Sequence, residues 1–194
     1  MSVMEALTPL QTPRLRLRGF RREDLASFRA YRDDPDVARY QSWSSYSATD
    51  AEAFFEVQRG LSFGQPDTWY QIALAERDSD ALLGDCALHF LADRQVELGF
   101  TLSPAHQRQG LMSEATRALL GFLFGSFGTH RVSATADTRN DSCVRLLERL
   151  GFRREGHFRE NQRFKGEWGD VYLYALLASE WSQSPQSAWI DPTQ

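Results

Sequence analysis

Apolar and polar residues alternate in several segments of the chain, a pattern typical of strands with one buried face. The first segment is Thr12–Phe20, in which Leu15 and Leu17 alternate with arginines at 14, 16 and 18. We expect these arginines to form the solvated face of a strand. Turn residues at 78–80 and 92–94 separate three further predicted strands. Those strands are Trp69–Ala75, Leu82–Leu91 and Gln95–Leu102.

Apolar residues at helical spacing fill the segments between the first two strands. Arg21–Asp34 has this spacing and ends at a proline, and a short second helix is predicted over Pro35–Tyr40. Thr49 and Glu52 fit a capping box, which predicts a helix from there to about Gly60.

The second half of the chain has a strand, a helix and then further strands. His130–Ala136 alternates like a strand, and Asn140 is a good N-cap for a helix that ends at Gly151. Two more strands are predicted near Gly156–Gln162 and Asp170–Leu177. Antiparallel strands followed by a βαβ-like unit predict an α+β, or mixed α/β, sheet with helices on both faces.

Composition is that of an ordinary globular protein. The 194 residues are 42% hydrophobic and 25% charged, so we expect one domain over residues 1–181 and a polar tail over 182–194. The apolar stretches are too short to span a bilayer, and we see no secretory signal. Two cysteines, Cys86 and Cys143, are too few for a disulfide framework. We therefore expect reduced thiols in a cytoplasmic protein that does not act at a membrane.

Charge and histidine placement narrow the expected partners. The net charge of −4 argues against general nucleic-acid binding, which needs a basic surface. The four histidines are scattered without metal-ligand spacing, so we expect no metal.

The stretch Glu97–Ala115 carries the clearest chemical signal. A strand ends at Ser103, a polar loop with a glycine follows, and a helix is predicted with Ser113 as its cap and Glu114 in its first turn. Free backbone N–H groups and the positive end of the helix dipole then point at the same place. We therefore expect a phosphate-bearing ligand there.

The loop resembles the Gln/Arg-x-x-Gly-x-Gly/Ala signature of the GNAT acetyltransferase superfamily. Gln107 takes the first position, Gly110 the fourth, and Met112 the last, where Gly or Ala is usual. The later order of strand, Asn140, helix and Leu-Gly-Phe ending at Phe152 is also similar to that family. With the opening and closing segments, the resemblance to the RimJ/RimL-like branch covers about Thr12–Trp181.

The resemblance implies a fold and a cofactor. It implies a mostly antiparallel seven-stranded sheet, splayed open between its fourth and fifth strands, with acetyl-CoA in the gap. Backbone amides of the loop would bind its pyrophosphate, and a strand N–H at the splay would polarise the thioester carbonyl. The residues expected to contact the cofactor are Phe100, Thr101, Leu102, Gln107, Arg108, Gln109, Gly110, Leu111, Met112, Ser113 and Asn140.

Candidate catalytic groups lie on the strand and on the second helix. An amine nucleophile is mostly protonated at neutral pH, so a base is needed, and Glu97 is the candidate. An exposed strand glutamate without a catalytic role is the alternative. Many superfamily members place a tyrosine where this chain has Leu147, so Ser142 or Cys143 is the candidate partner of the leaving thiolate. A small core residue is the alternative for Cys143.

Aromatic residues are candidates for the acceptor site. Tyr40, Trp43 and Tyr46, together with the hairpin Arg159–Trp168, would form its walls, and ordinary core packing is the alternative.

These observations predict an enzyme that moves an acetyl group from acetyl-CoA to a primary amine by direct transfer in a ternary complex. The acceptor would be a protein N-terminus or a small-molecule amine. A non-catalytic acyl-CoA-binding or sensing domain is the alternative. A homodimer is plausible, but the sequence leaves the oligomeric state open.

Overall fold

The computed structural model describes residues 9–185. The predicted tail lies outside the described residues from 186 onward, as do residues 1–8. In the described part of the chain there are eight strands and six α-helices. The strands are β1 (Leu10–Gln11), β2 (Leu15–Arg18), β3 (Trp69–Glu76), β4 (Leu82–Leu91), β5 (Gln95–Leu102), β6 (Arg131–Asp137), β7 (Arg153–Phe164) and β8 (Glu167–Leu177). The helices are α1 (Leu25–Arg32), α2 (Pro35–Ala38), α3 (Ala48–Arg59), α4 (Leu111–Gly125), α5 (Asp141–Arg149) and α6 (Ala178–Gln183).

All strands belong to one open sheet in the order β1-β2-β3-β4-β5-β6-β8-β7. Every neighbouring pair is antiparallel except β5 and β6, which are parallel because α4 crosses between them. The mixed α/β architecture is therefore as predicted. The strand count is eight rather than seven because the chain forms the two-residue β1 at the outer edge of β2.

Helices cover both faces of the sheet, because alternate residues of each strand are apolar toward one side or the other. On one face, α4 and α5 pack on the central strands, with Leu119 and Leu147 fully buried. On the other face, α1 and α3 pack over Ala73 and Leu82, with Phe28 at the centre.

Two predicted helix starts were wrong by a few residues. The cap of α3 is Ser47, whose hydroxyl accepts a hydrogen bond from Asp50 N while the Asp50 carboxylate accepts one from Ser47 N. The Thr49–Glu52 pair therefore lies inside the helix. The cap of α4 is Gly110 rather than Ser113. By contrast, Asn140 is the N-cap of α5 as predicted, since its side chain accepts a hydrogen bond from Cys143 N.

The prediction of a fully solvated arginine face on β2 was also wrong. Leu15 and Leu17 are buried as expected, but Arg18 is buried too. Its guanidinium forms two hydrogen bonds to the carboxylate of Asp24 and one to Asp80. This face of β2 is covered by the turn that leads into α1, so the arginine has carboxylate partners instead of water.

Candidate active site

The loop between β5 and α4 turns the chain directly into the helix. A single 3-10 turn, Pro104–His106, is followed by an exposed segment in which Arg108 and Gly110 have φ values of 61° and 78°. Glycine adopts such a left-handed conformation without steric cost. Because Gly110 makes this turn, the helix begins at Leu111, and Ser113 becomes its third residue rather than its cap.

The first turn of α4 offers main-chain N–H groups rather than side chains. An α-helix leaves its first amides without intrahelical acceptors, and here these include the amides of Leu111, Met112 and Ser113. The side chains of all three residues are buried. Met112 Sδ lies 3.9 Å from Cys86 Sγ in the core. A methionine at this motif position therefore leaves the loop surface unobstructed, since its side chain points inward.

Two glutamine side chains form hydrogen bonds to backbone carbonyls of the loop and of the strand before it. Gln107 Nε2 donates a hydrogen bond of 3.0 Å to the carbonyl of Leu102, and Gln109 Nε2 donates one of 3.0 Å to Ala105. These side chains hold the loop against the end of β5. Arg108, between them, is exposed.

A basic depression of about 320 Å³ lies beside the loop. It is lined by residues from the segment just before β2, from the first turns of α4 and from the end of α5. These residues are Pro13, Arg14, Gly110, Ser113, Glu114, Arg117 and Arg149. Three arginines and one glutamate give the depression an excess of positive charge next to the helix N-terminus.

The sheet opens immediately next to this loop. Among the described residues, β5 pairs with β6 only over Gln95–Glu97, opposite Arg131–Ser133. On its other edge β5 is paired with β4 over its whole length, from Gln95 to Leu102. The remainder of β5 therefore faces a gap where a continued β6 ladder would lie.

The direction of the β5 amides follows from one backbone contact at the end of the strand. Ser103 N donates to Leu83 O across the β4 side. In an antiparallel ladder, alternate residues bond to the same neighbour, so Thr101 also points its N–H toward β4. Phe100 and Leu102 then point theirs into the gap, in agreement with the gap-side bond from Gln107 to the Leu102 carbonyl.

Glu97 lies at the closed end of the gap. It is the last β5 residue paired with β6, and its side chain is 30% exposed. His89, its cross-strand partner on β4, places Nδ1 3.8 Å from a Glu97 carboxylate oxygen. On β6, Thr135 Oγ1 lies 3.5 Å from the other oxygen. The carboxylate is thus partly exposed and lies between two polar side chains.

His89 extends this cluster away from the gap. Its Nε2 lies 3.3 Å from an Asp67 carboxylate oxygen, and its ring stacks on Trp69 at 4.8 Å. The prediction from sequence did not include His89 or Thr135. The alternation of apolar and polar residues placed both on predicted strands. Only the register of β4, β5 and β6 brings them next to Glu97.

Ser142 and Cys143 lie in the first turn of α5, where Asn140 caps the helix. Ser142 is exposed, whereas Cys143 packs against the main core. Burial raises the pKa of the Cys143 thiol to about 12, so at neutral pH it carries its proton. Leu147, at the position where many family members have tyrosine, is completely buried.

The three aromatic residues predicted for the acceptor site have different surroundings. Trp43 lies over the Arg32 guanidinium at 4.2 Å and donates its indole N–H to the Arg32 carbonyl. Tyr46 also faces that guanidinium, at 5.4 Å. Tyr40 instead donates its hydroxyl to the carbonyl of Arg139, next to Asn140. The structure therefore brings Tyr40 to the α5 side of the gap and packs the other two around Arg32.

Arg32 belongs to a buried network under the closed side of β5. It forms an ion pair of 3.3 Å with Asp85, and Tyr31 donates its hydroxyl to the same carboxylate. Burial raises the pKa of Asp85, and Arg32 offsets part of that rise. Asp85 is the β4 partner of Thr101, so this network supports the strand that borders the gap.

No helix within residues 9–185 is long and apolar enough to cross a membrane. Nor does that range contain a group of three or more His, Cys, Asp or Glu side chains placed to hold a metal ion.

The split sheet, with a helix N-terminus beside it, defines a protein of the GNAT acetyltransferase class. An acetyltransferase of the GNAT family from Bacillus anthracis has the same fold, with a TM-score of 0.81 and 27% identity, covering 89% of this chain and all of that one. Residues 14–153 match the family described as the acetyltransferase (GNAT) domain. This chain therefore belongs to the GNAT acetyltransferase family.

Individual relatives differ in what is known of them. The chain is 30% identical over 174 residues to an uncharacterized N-acetyltransferase, YnaD, of Bacillus subtilis, covering 89% of this chain and 99% of that protein. It is 33% identical over 85 residues to the [ribosomal protein uS5]-alanine N-acetyltransferase of Escherichia coli, covering 44% of each. A spermidine N-acetyltransferase from Vibrio cholerae, solved with CoA and spermine, has a TM-score of 0.76 at 21% identity, covering 88% of this chain and 99% of that one.

Proposed function

We propose that this protein transfers an acetyl group from acetyl-CoA to a primary amine by direct attack in a ternary complex. The observation that carries the proposal is the gap between β5 and β6, which opens beside the amides at the start of α4. Fixed N–H groups suit a diphosphate, and the adjoining gap is a channel for a long thioester arm. The CoA-bound Vibrio cholerae enzyme with this fold supports the choice of donor.

The loop supplies the diphosphate site in this proposal. The amides of Leu111, Met112 and Ser113 bind the phosphate oxygens, and Gly110 lets the ligand approach the backbone. Gln107, Arg108 and Gln109 form the outer rim of this site. The other proposed donor contacts are on β5 and at the α5 cap, and they are Phe100, Thr101, Leu102 and Asn140.

The chemistry then follows from the groups along β5. The N–H groups of Phe100 and Leu102 point into the gap, where one of them polarises the thioester carbonyl. The amine nitrogen forms the new C–N bond, the C–S bond breaks, and the sulfur leaves as a thiolate. Such donors act most strongly where water is excluded, as in a gap inside a sheet.

Glu97 is the proposed base that accepts the proton of the amine. It lies three residues before Phe100, which is about 10 Å along a strand, so the proton passes through water rather than directly. His89 and Thr135 lie beside the carboxylate, at 3.8 and 3.5 Å. The thiolate receives its proton from Ser142, from the Cys143 thiol or from solvent.

For the acceptor we propose a protein N-terminus or a small-molecule amine. The partial relative acts on ribosomal protein uS5, and the fold neighbour is a spermidine acetyltransferase, so both kinds of amine occur among proteins like this one. Tyr40 contacts the Arg139 carbonyl next to Asn140, and it stays a predicted acceptor residue together with Trp43 and Tyr46. The single catalytic domain, the cytoplasmic location and the homodimer also remain predictions.

Thiol release from acetyl-CoA with a panel of amines tests the proposal. The panel contains peptides with free N-termini, polyamines and amino-acid amines. Turnover with at least one amine, and an acetylated product by mass spectrometry, are expected. Binding of CoA without turnover on any member would favour the acyl-CoA-sensing alternative, and failure to bind CoA would refute both.

A further inference from the structure

The carboxylate of Glu114 is surrounded by donors from the start of the chain. Thr12 Oγ1 and Arg14 N donate to Oε1 at 2.5 and 2.9 Å, and Arg14 Nε donates to Oε2 at 2.7 Å. Arg14 Nη2 forms an ion pair with the same Oε2 at 2.7 Å. Only 12% of the Glu114 side chain is exposed. Burial alone would raise the pKa of Glu114, but the hydrogen bonds from Thr12 and Arg14 hold it below its ordinary value. The group is therefore a fixed carboxylate in the first turn of α4.

The same arginine also holds the cofactor loop. Arg14 Nη1 donates to the carbonyl of Gln109 at 2.9 Å, one residue before Gly110. In a trans peptide the C=O and the following N–H point in opposite directions. By fixing the Gln109 carbonyl toward itself, Arg14 turns the N–H of Gly110 away from the pair. One guanidinium thus sets the orientation of a loop peptide relative to the helix.

A carboxylate at this position lowers the affinity of the site for an anion. A negative charge in the first turn suits the helix dipole, but it repels a diphosphate bound at the same end. Arg14 neutralises it with Nε and Nη2, which both lie 2.7 Å from the same carboxylate oxygen, Oε2. The remaining repulsion of the diphosphate would be offset if the pair also shaped the loop, and the hydrogen bond from Arg14 to the Gln109 carbonyl provides such a role.

We propose that Arg14 and Glu114 are positioning residues that hold the Gln107–Gly110 loop in its diphosphate-binding conformation. This inference rests on the proposed function and adds to it a device outside the loop motif. The pair acts through the peptide before Gly110 rather than by touching the diphosphate. Thr12 fixes the carboxylate oxygen that Arg14 Nε and Nη2 do not bind.

The substitution Glu114→Gln separates positioning from simple charge effects. On charge alone, removing a negative group beside a diphosphate should tighten CoA binding. If the pair positions the loop, CoA binding weakens about tenfold, the expected cost of one lost charge-assisted contact. Calorimetric titration with CoA measures this, and tighter or unchanged binding would overturn the inference.

Arg14 variants test whether its charge or its geometry matters. Arg14→Met is expected to weaken CoA binding about as much as Glu114→Gln, and Arg14→Lys to restore little, because lysine lacks the planar guanidinium that contacts Glu114 and the Gln109 carbonyl together. Restoration by lysine would mean that Arg14 acts as a charge on the diphosphate, which would overturn a positioning role. Turnover at saturating acetyl-CoA should stay near the wild-type rate in every variant, since only the donor site is changed.

Two controls keep the result interpretable. Arg131→Met removes a different Arg–Glu pair, to Glu155, at the opposite end of the sheet, and should leave CoA binding unchanged. Thr12→Val removes one hydrogen bond to Glu114 and provides a milder variant should Glu114→Gln fail to fold. A wild-type protein that does not bind CoA would refute the proposed function. Binding by the wild type with equal binding by Thr12→Val and Arg14→Met would refute only this inference.

Discussion

Strand β5 is paired differently along its two edges. Toward β4 it has a continuous antiparallel ladder from Gln95 to Leu102, whereas toward β6 the parallel ladder ends at Glu97. The closed edge is supported by the buried Asp85 and Arg32 pair, and the open edge faces the proposed cofactor arm. The β4 edge of this strand therefore contributes to the stability of the fold, and the β6 edge borders the proposed reaction site. Substitutions on the two sides should affect different measurements.

The largest effect is expected at the end of the open edge. Glu97→Gln removes the proposed base and should lower kcat/KM about 10²- to 10⁴-fold, the usual contribution of general-base catalysis. The loss should be greatest at low pH, where little of the amine is free of its proton. Steady-state rates across pH 6–9 measure it. Glu76→Gln, at the exposed end of β3, is the matched control. An unchanged pH–rate profile in Glu97→Gln would remove this residue from the mechanism.

Breaking the support of the closed edge should instead affect stability. Arg32→Met leaves Asp85 buried without its cation, which should lower the free energy of unfolding by about 3 kcal/mol. Denaturant unfolding measures this, and Arg29→Met, an exposed arginine on the same helix, should change stability by less than about 0.5 kcal/mol. A fully stable Arg32→Met protein would show that the network does not support the strand.

The two edges can be compared at neighbouring backbone atoms. Replacing the amide N–H of Phe100 by an ester oxygen removes a donor that points into the gap, and should lower kcat about 10²-fold. The same replacement at Thr101 removes a ladder bond to β4 and should cost about 1 kcal/mol of stability with little change in kcat. Incorporation of the matching α-hydroxy acids allows both measurements. Equal effects on kcat at the two positions would contradict the assignment of amide directions.

A smaller effect is expected in the loop. Gly110 and Gly128 lie just outside the two ends of α4 and share a φ of 78°, so alanine at either position should cost about 1 kcal/mol of stability. Only Gly110→Ala should weaken CoA binding, by about tenfold, because only that residue shapes the diphosphate site. Calorimetry on both variants measures the difference. Similar CoA affinities for the two would count against the loop assignment.

Local sequence signals predicted much of this molecule. Alternation located the strands, and Asn140 marked the start of α5, whereas Ser113, the predicted cap of α4, is the third residue of that helix. These features depend on residues a few positions apart, so they are visible in the sequence. The capping box of α3 was misplaced by two residues because Ser47–Asp50 and Thr49–Glu52 fit the same pattern.

The features that escaped prediction depend on contacts between distant residues. Arg14 and Arg18 occupy equivalent positions in the predicted strand, yet Arg14 lies just before β2 and contacts the cofactor loop, whereas Arg18 is buried against Asp24. Alternation indicates which face a residue lies on, but not what covers that face. His89 reaches Glu97 for a similar reason, since only the register of β4 and β5 makes them partners.

A crystal structure with CoA bound tests the central claim most directly. The account predicts diphosphate oxygens at about 2.7–3.2 Å from the amides of Leu111, Met112 and Ser113, with the pantetheine arm lying between β5 and β6. A diphosphate bound away from these amides, or a β5–β6 ladder that continues past Glu97 and closes the gap, would contradict it.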